Sequence, residues 1–378
     1  MTVLEILNSY PGETFIREHA RAILRKSTVE LAWAFAQTSL LGDLPKPVSG
    51  LSYCFAMPNF NRLSKSKKIT IRLRRPLRSW HHEKEATVLR CVQRVKPDVI
   101  HFQFASTAVQ WSWIAKKLNV PFTFSVRGSD VQVLPLLTKH YLERLKKISV
   151  KSKRIHAVCD NLKSLFCDLT GIPAAKVDVI RTVVSDRWKA VTREPEPNLF
   201  ISVGRLHWSK GFPDLVVAAK LVKDRGGDFK LLIIGEGPER AHIEYLIRDL
   251  NLKDCVRLEG AKSHSEIQNY FRKATAIVLS SLLEGFPNVL AEAMLAGVPI
   301  ISTNCGGIGE ILQDKKNAWI VQTGAPDDLA SQMMRCLDNK VVQERLARIA
   351  QKQAESIFSP EQHCRDFLRF WQVDKGST

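Results

Sequence analysis

Glu284 and Glu292 stand in the stretch EGFPNVLAEAM (284–294), one in a loop and the other inside the helix that the loop enters. Asn288 is a favourable helix cap, and the backbone N–H groups of Val289 and Leu290 behind it have no partner within a helix. A helix start carries roughly half a positive charge. Those donors therefore suit diphosphate oxygens, and a sugar or ribose joined to the diphosphate lies within reach of neighbouring carboxylates. Glu284, with Gly285 beside it, faces one end of such a ligand and Glu292 the other. Glu292 falls at the fifth helical position, past the third, where a capping box places its acid. On spacing alone, the plainer reading of Glu284 is a loop carboxylate in water.

VGRLHWSKGF (203–212) carries Arg205 and Lys210 out of a strand and into a helix. That strand-to-helix edge is where a doubly wound sheet binds ligands. A forked guanidinium and a point-charge ammonium together match a pair of phosphates. GEGPE (235–239), which contains Glu236, and CGGIGEI (305–311) are further glycine-bearing turns at the same edge. Neither is a GxGxxG, so their value lies in position: four turns of one sheet converge on one cleft. In the first half, PGETFI (11–16), with Gly12, Glu13 and Thr14, joins the first strand to the first helix as a substrate-closing loop. SVRGSD (125–130) ends another strand with Arg127, Gly128 and Asp130. Asp130 reads equally as a turn former or helix cap.

The elements that must carry these residues alternate between strand-like apolar runs and amphipathic helical segments, the pattern of βαβ units and parallel sheets. In the second half, NLFISVGRL, FKLLIIGEG, CVRLEGA, TAIVLSS, VPIISTN and AWIVQTG read as six strands of one doubly wound domain. The first half yields VLEILNS, DVIHFQF, FTFSVRG, IHAVCD and KVDVIR. TREPEPN (192–198), with two prolines and few apolar groups, reads as the linker.

With 378 residues, 45% of them hydrophobic and 25% charged, the chain is an α/β protein of two domains. No apolar run approaches the roughly 18 residues of a membrane span. The N-terminus reads as a first strand, not a secretory signal. Eight cysteines without a CxxC pair point to a reducing cytosol, not to a zinc ribbon or disulfide scaffold. DxD, HExxH, GxxxxGK[ST] and GxSxG are absent, so no carboxylate pair for a metal ion is expected. His101, His156, His207 and His264 read as dispersed core, supporting or surface residues.

The net charge of +18 is uneven: residues 1–195 hold 33 Lys and Arg against 15 Asp and Glu, and residues 196–378 hold 23 against 23. Arg62, Lys65, Lys67, Lys68, Arg72, Arg74, Arg75 and Arg78 crowd together beside Trp80, within an acid-free segment from Leu44 to His82. Such a segment suits anionic headgroups or nucleic acid, or is simply a solvated basic face. No nucleic-acid reader motif accompanies it, so no nucleic-acid partner is expected.

VGRLHWSKGF, IGEGPER and SSLLEGFPNVLAEAMLAGVPIISTNCGGIGEIL, in this order, resemble the second domain of family 4 glycosyltransferases, over roughly residues 198–324. Glu284 to Glu292 matches the E-x7-E signature of that family. PGETFI is similar to the SETFI loop of members that build bacterial exopolysaccharides, and DVIHFQF with SVRGSD to a strand pair ending in HGxD. Arg127 stands where HGxD has histidine. VIRTVVSDRW stands where a proline, an Asn-Gly turn and an aspartate are usual.

The resemblance implies a GT-B fold: two Rossmann-like doubly wound domains facing across a cleft. The first, 1–195, takes the acceptor, and the second, 196–359, takes the nucleotide sugar, while a last helix over 360–373 packs back on the first. It implies a retaining, metal-independent glycosyltransferase of the hexosyltransferase class, EC 2.4, with no cofactor and a UDP- or GDP-sugar donor. Carried over by position, Arg205 and Lys210 bind the diphosphate and Glu292 the ribose. Glu284, Gly285 and the Asn288, Val289 and Leu290 backbone hold the sugar and distal phosphate, and Glu236 and Lys262 lie on the nucleotide side. Glu284, Arg205, Lys210 and Arg127 are the catalytic candidates, and Gly12, Glu13, Thr14, Arg127 and Asp130 line the acceptor side. The acceptor is a glycan or lipid-linked glycan of cell-surface polysaccharide synthesis. The enzyme is cytoplasmic, held at the inner face of the membrane through residues 62–80. The competing expectation is a GT-B nucleotide-sugar epimerase or hydrolase.

Overall fold

The computed structural model describes residues 1–9, 14–37, 53–56 and 88–372. It divides into two units, Met1–Arg181 with Pro360–Thr378, and Thr182–Ser359.

The first unit is built on seven strands: β1 (Thr2–Ser9), β2 (Glu30–Gln37), β3 (Tyr53–Ala56), β4 (Val99–Phe102), β5 (Phe122–Val126), β6 (Ile155–Ala157) and β7 (Val177–Val179). They lie in the order β3-β2-β1-β4-β5-β6-β7, every neighbour parallel. A parallel sheet buries both faces, and β1 shows why its run is continuously apolar. Successive side chains alternate across the sheet. Leu4 and Ile6 join the core with Phe102, Phe124 and Phe166, while Val3 and Leu7 join the opposite one with Ile16, Ala20 and Ile23.

β2 and β3 were not expected. ELAWAFAQ is rich in alanine, a strong helix former, and YCFA has only four residues, so neither gives the β-branched alternation by which the other strands are read. Packing beside β1 overrides that local preference.

The second unit holds β8 (Leu199–Val203), β9 (Lys230–Ile234), β10 (Val256–Gly260), β11 (Ala276–Leu279), β12 (Ile300–Thr303) and β13 (Trp319–Val321). They form a parallel sheet in the order β10-β9-β8-β11-β12-β13. All six lie inside the apolar runs expected to be strands. In both units the order reverses beside the first strand, at β1/β4 and β8/β11, which is where an open α/β sheet places its ligand crevice. The architecture is the GT-B pair of Rossmann-like folds.

The last helix, Pro360–Trp371, returns to the first unit, where Phe367, Phe370 and Trp371 enter the core beside Val3, Ile16 and Ile23. Residues 182–195, read from sequence as part of the first domain, belong to the second. Val184 and Trp188 lie in its core with Ile201, Phe271 and Leu290. The proline-rich stretch is likewise no free linker. The Glu194 and Glu196 amides donate to Arg272 and Lys273 carbonyls at 2.9 and 2.8 Å. The half-buried Arg193 guanidinium, lowered by burial to about 10, caps the carbonyl of Ala274 at 2.9 Å.

Candidate active site

β8 and β11 flank the switch point, and the turns after them carry the charged residues. After β8 the chain runs through Gly204, the exposed Arg205 and buried Leu206 into a short 3-10 turn, Trp208–Lys210, then the helix Phe212–Asp224. His207 caps the turn, its Nδ1 lying 3.0 Å from Ser209 Oγ. Burial first, then the positive charges of Arg205 and Lys210, hold the His207 imidazole below its ordinary pKa, with Glu239 acting the other way.

Lys210 is aimed inward. Its ammonium is ion-paired with Glu284 Oε1, which also accepts the Ser281 hydroxyl at 2.8 Å. Glu284 is 9% exposed and Glu292 8%. Glu284 is therefore no loop carboxylate in water. Its charge, after burial, pushes the Cys305 thiol up to about 12. The two turns are tied together: the amides of Leu282 and Leu283 donate to Ser209 O at 2.9 and 3.1 Å, and Ser280 Oγ donates to Lys210 O at 2.9 Å.

Glycines allow this closeness. Gly211 has φ +59, and a Cβ there would lie 2.1 Å from Ser280 O. Gly306, at φ +55, would meet Glu284 O at 2.0 Å, and the Gly307 amide donates to Gly285 O at 2.9 Å. Only glycine fits where backbones meet this closely in the left-handed region. The GEGPE turn docks on the first loop, with Leu206 N donating to Glu236 O at 2.9 Å and Glu239 N to Leu206 O at 3.0 Å. All four turns read from sequence therefore share one edge.

The helix Asn288–Leu295 begins beside Glu284, but its cap is Pro287, and no side chain caps it. Asn288 is the first helical residue; its Oδ1 accepts the Thr182 hydroxyl at 2.8 Å. Of the two amides read as open donors, that of Leu290 is used, donating to Pro287 O at 3.0 Å. Val289 lies at the second helical position, where the N–H points out of the helix start. Glu292, a turn further on, has His264 Nε2 3.9 Å from its Oε1. His264 opens the helix His264–Lys273, which is fixed by a capping box between Ser263 and Glu266. Glu236 is paired with Arg240 at 2.6 Å, and Lys262 is half-buried just before Ser263.

In the first unit, Gly12 and Glu13 lie outside the described residues, as does the basic run 62–80, and Thr14 opens the helix Thr14–Lys26. Asp130 is neither exposed nor a simple cap. Its carboxylate accepts the amides of Arg127 and Gly128 at 3.1 and 2.9 Å and that of Ala105 at 3.1 Å, locking the turns after β4 and β5 together. Burial raises its pKa against those three donors.

Arg127 donates from Nε to Gln103 O at 2.8 Å and from its terminal nitrogen to the Gln103 side chain. Gln103 donates in turn to Glu5 Oε1 at 2.7 Å, and the same oxygen lies 2.7 Å from His19 Nε2. His19 continues to His363 Nε2 at 2.8 Å, and His363 to Arg181 O at 2.9 Å. His101 and His156, dispersed in sequence, meet through Ser125 Oγ at 3.0 and 2.8 Å. Sequence reading missed Gln103, Glu5, Ser281 and Thr182. Ser281, three residues before Glu284 at a strand end, carried a signal; the others act through partners distant in the chain.

The family model described as Glycosyl transferases group 1 matches residues 184–353, and the one described as Glycosyltransferase Family 4 matches residues 52–187. The chain is similar to the amylovoran biosynthesis glycosyltransferase AmsK of Erwinia amylovora, at 33% identity over 44% of this chain and 43% of that protein. It is also similar to a glycogen synthase of Mycobacterium tuberculosis, at 32% identity over 70% and 66%. The chain spans only 41–59% of the length of the first curated relatives it matches. Among solved structures, Anabaena HepE in complex with UDP superposes with a TM-score of 0.77 at 16% identity, over 98% of this chain and 99% of that one.

Proposed function

Because this chain belongs to the family 4 glycosyltransferases, we propose that it is a retaining hexosyltransferase, moving a sugar from a UDP- or GDP-sugar to a glycan or lipid-linked acceptor of cell-surface polysaccharide synthesis. The observation that carries the reading is the Lys210–Glu284 pair, held at the carboxyl ends of the two switch-point strands beside a helix start. The UDP named with HepE and the amylovoran pathway named with AmsK support the donor and product classes.

In this reading Arg205 and Lys210 take the diphosphate, with the helix start adding its dipole. Glu292 accepts the ribose hydroxyls, and Glu236 and Lys262 lie on the nucleotide side. Glu284 holds Lys210 in place and faces the sugar with Gly285. The barrier falls mainly because fixed positive groups meet the charge developing on the leaving diphosphate, and no metal is required. Gly12, Glu13, Thr14, Arg127 and Asp130 serve the acceptor, which attacks from the face that the diphosphate leaves. The enzyme works at the cytoplasmic face of a membrane, attached through the basic residues 62–80.

A thermal-shift panel of UDP-, GDP- and ADP-sugars tests this, since a ligand that binds only the folded state raises apparent stability. One base class is expected to raise the melting temperature, and Lys210→Ala to remove the rise while still melting cooperatively. A panel without any shift, or a shift that survives Lys210→Ala, overturns the site. Free sugar or an epimer released from donor alone would instead select the hydrolase or epimerase reading.

A further inference from the structure

After β5 the chain passes through two short helices, Ser129–Gln132 and Leu134–Leu137, into the helix Lys139–Lys151. This turn is anchored: Pro135 is buried, and the Tyr141 hydroxyl donates to Asp130 O at 2.9 Å. Yet it presents Leu136 at 80% exposure and Leu137 at 68%. Scattered exposed leucines need no explanation, but an adjacent pair on a fixed turn does.

The helix that follows buries Leu145 and Ser149. Its outer stripe, at helical spacing, is Lys139, Glu143, Lys146 and Val150, and Val150 is 68% exposed. Lys147, Lys151 and Lys153 are exposed around it, and Lys176 donates to Val150 O at 2.7 Å. Within the helix Lys139–Lys151, Glu143 is the single acid beside Lys139, Lys146, Lys147 and Lys151.

We propose that Leu136, Leu137 and the lysine stripe form a docking surface for an anionic lipid bilayer, the leucines entering the interface and the lysines meeting the headgroups. Apolar insertion combined with cations is how a protein lies on such a surface without spanning it. A second copy of this chain would set lysines against lysines, and lysine is depleted from protein interfaces. Nucleic acid would satisfy the lysines but not the leucines. The surface deepens the membrane-facing reading given above, while standing on residues other than 62–80.

The test is co-sedimentation of the full chain with vesicles of phosphatidylglycerol and phosphatidylcholine, and with phosphatidylcholine alone. Leu136→Ser with Leu137→Ser is expected to weaken partitioning about tenfold or more. Lys146→Glu with Lys147→Glu should abolish the preference for anionic vesicles, and Glu143→Lys should strengthen it severalfold. All three should melt like the native chain and keep its nucleotide-sugar shift, so failure here is distinguishable from failure of the donor site. Native partitioning by the leucine variant, or indifference of the native chain to anionic vesicles, overturns the proposal. So does a native dimer that the leucine substitutions dissociate. If neutralising Arg72, Arg74, Arg75 and Arg78 removes all binding while the leucine variant keeps it, attachment belongs to the basic run alone.

Discussion

The two sheets share a strand order and a switch point, yet treat charge there in opposite ways. In the second unit Arg205, Lys210 and Glu284 are set on glycine turns and offered at the strand ends, with Lys210 and Glu284 neutralising one another. In the first, Glu5, His19 and His363 lie inside, chained by hydrogen bonds through Gln103 to the half-buried Arg127, and His101 and His156 form a second buried set joined through Ser125. A turn that offers charge can grip a ligand. A buried chain instead fixes the one group it ends on, because a half-satisfied network in low dielectric is costly.

The sharpest break in that contrast is Lys210→Ala. It should lower kcat about 100- to 1000-fold with whichever nucleotide sugar gives a thermal shift, the scale of one lost donor to a developing anion, and also lower stability, because the buried Glu284 loses its cation. A fall in urea midpoint in place of the rate would make the offered charge a structural one. Next, His19→Leu removes a partner of buried Glu5 and should destabilise the chain by about 3 kcal/mol in urea unfolding, without touching the donor shift. A near-neutral result would mean the chain of histidines fixes nothing.

A pH series sharpens the contrast further. Burial holds His101, His156 and His363 well below the usual histidine range, and the Arg127 guanidinium acts in the same direction. Unfolded, these histidines take up protons near pH 6.5 while the folded ones stay neutral. Stability therefore rises with pH where the unfolded state binds more protons, and falls as pH drops from 8 to below 6.5. The fall should shrink in His101→Asn and His156→Gln and persist in Lys210→Ala. The smallest effect expected is Ser263→Ala, which breaks the capping box of the helix bearing His264 and should cost about 1 kcal/mol. A much larger loss would show that the helix start also holds Glu292.

The second sheet was legible because its strands are compact apolar runs, several of them closed by glycine, and the meeting of its turns because strand order dictates which are neighbours. What escaped was tertiary. ELAWAFAQ becomes β2 only because β1 lies beside it. Thr182 meets Asn288 across 106 positions, and His19 meets His363 across 344, so no local pattern announces either. Asn288 looked like a cap by residue type, but Pro287 already supplies the extended turn, and Asn288 Oδ1 accepts the Thr182 hydroxyl. Arg127 could be placed at a strand end, but not its tether to Gln103, which comes from the neighbouring strand.

The return of Pro360–Trp371 has a consequence for synthesis. A nascent chain ordinarily completes its domains from the N-terminus onward. Here Thr182–Ser359 is synthesised before His363, Phe367, Phe370 and Trp371, so Met1–Arg181 must wait, part of its nonpolar interior open, until the whole of the second unit has been made.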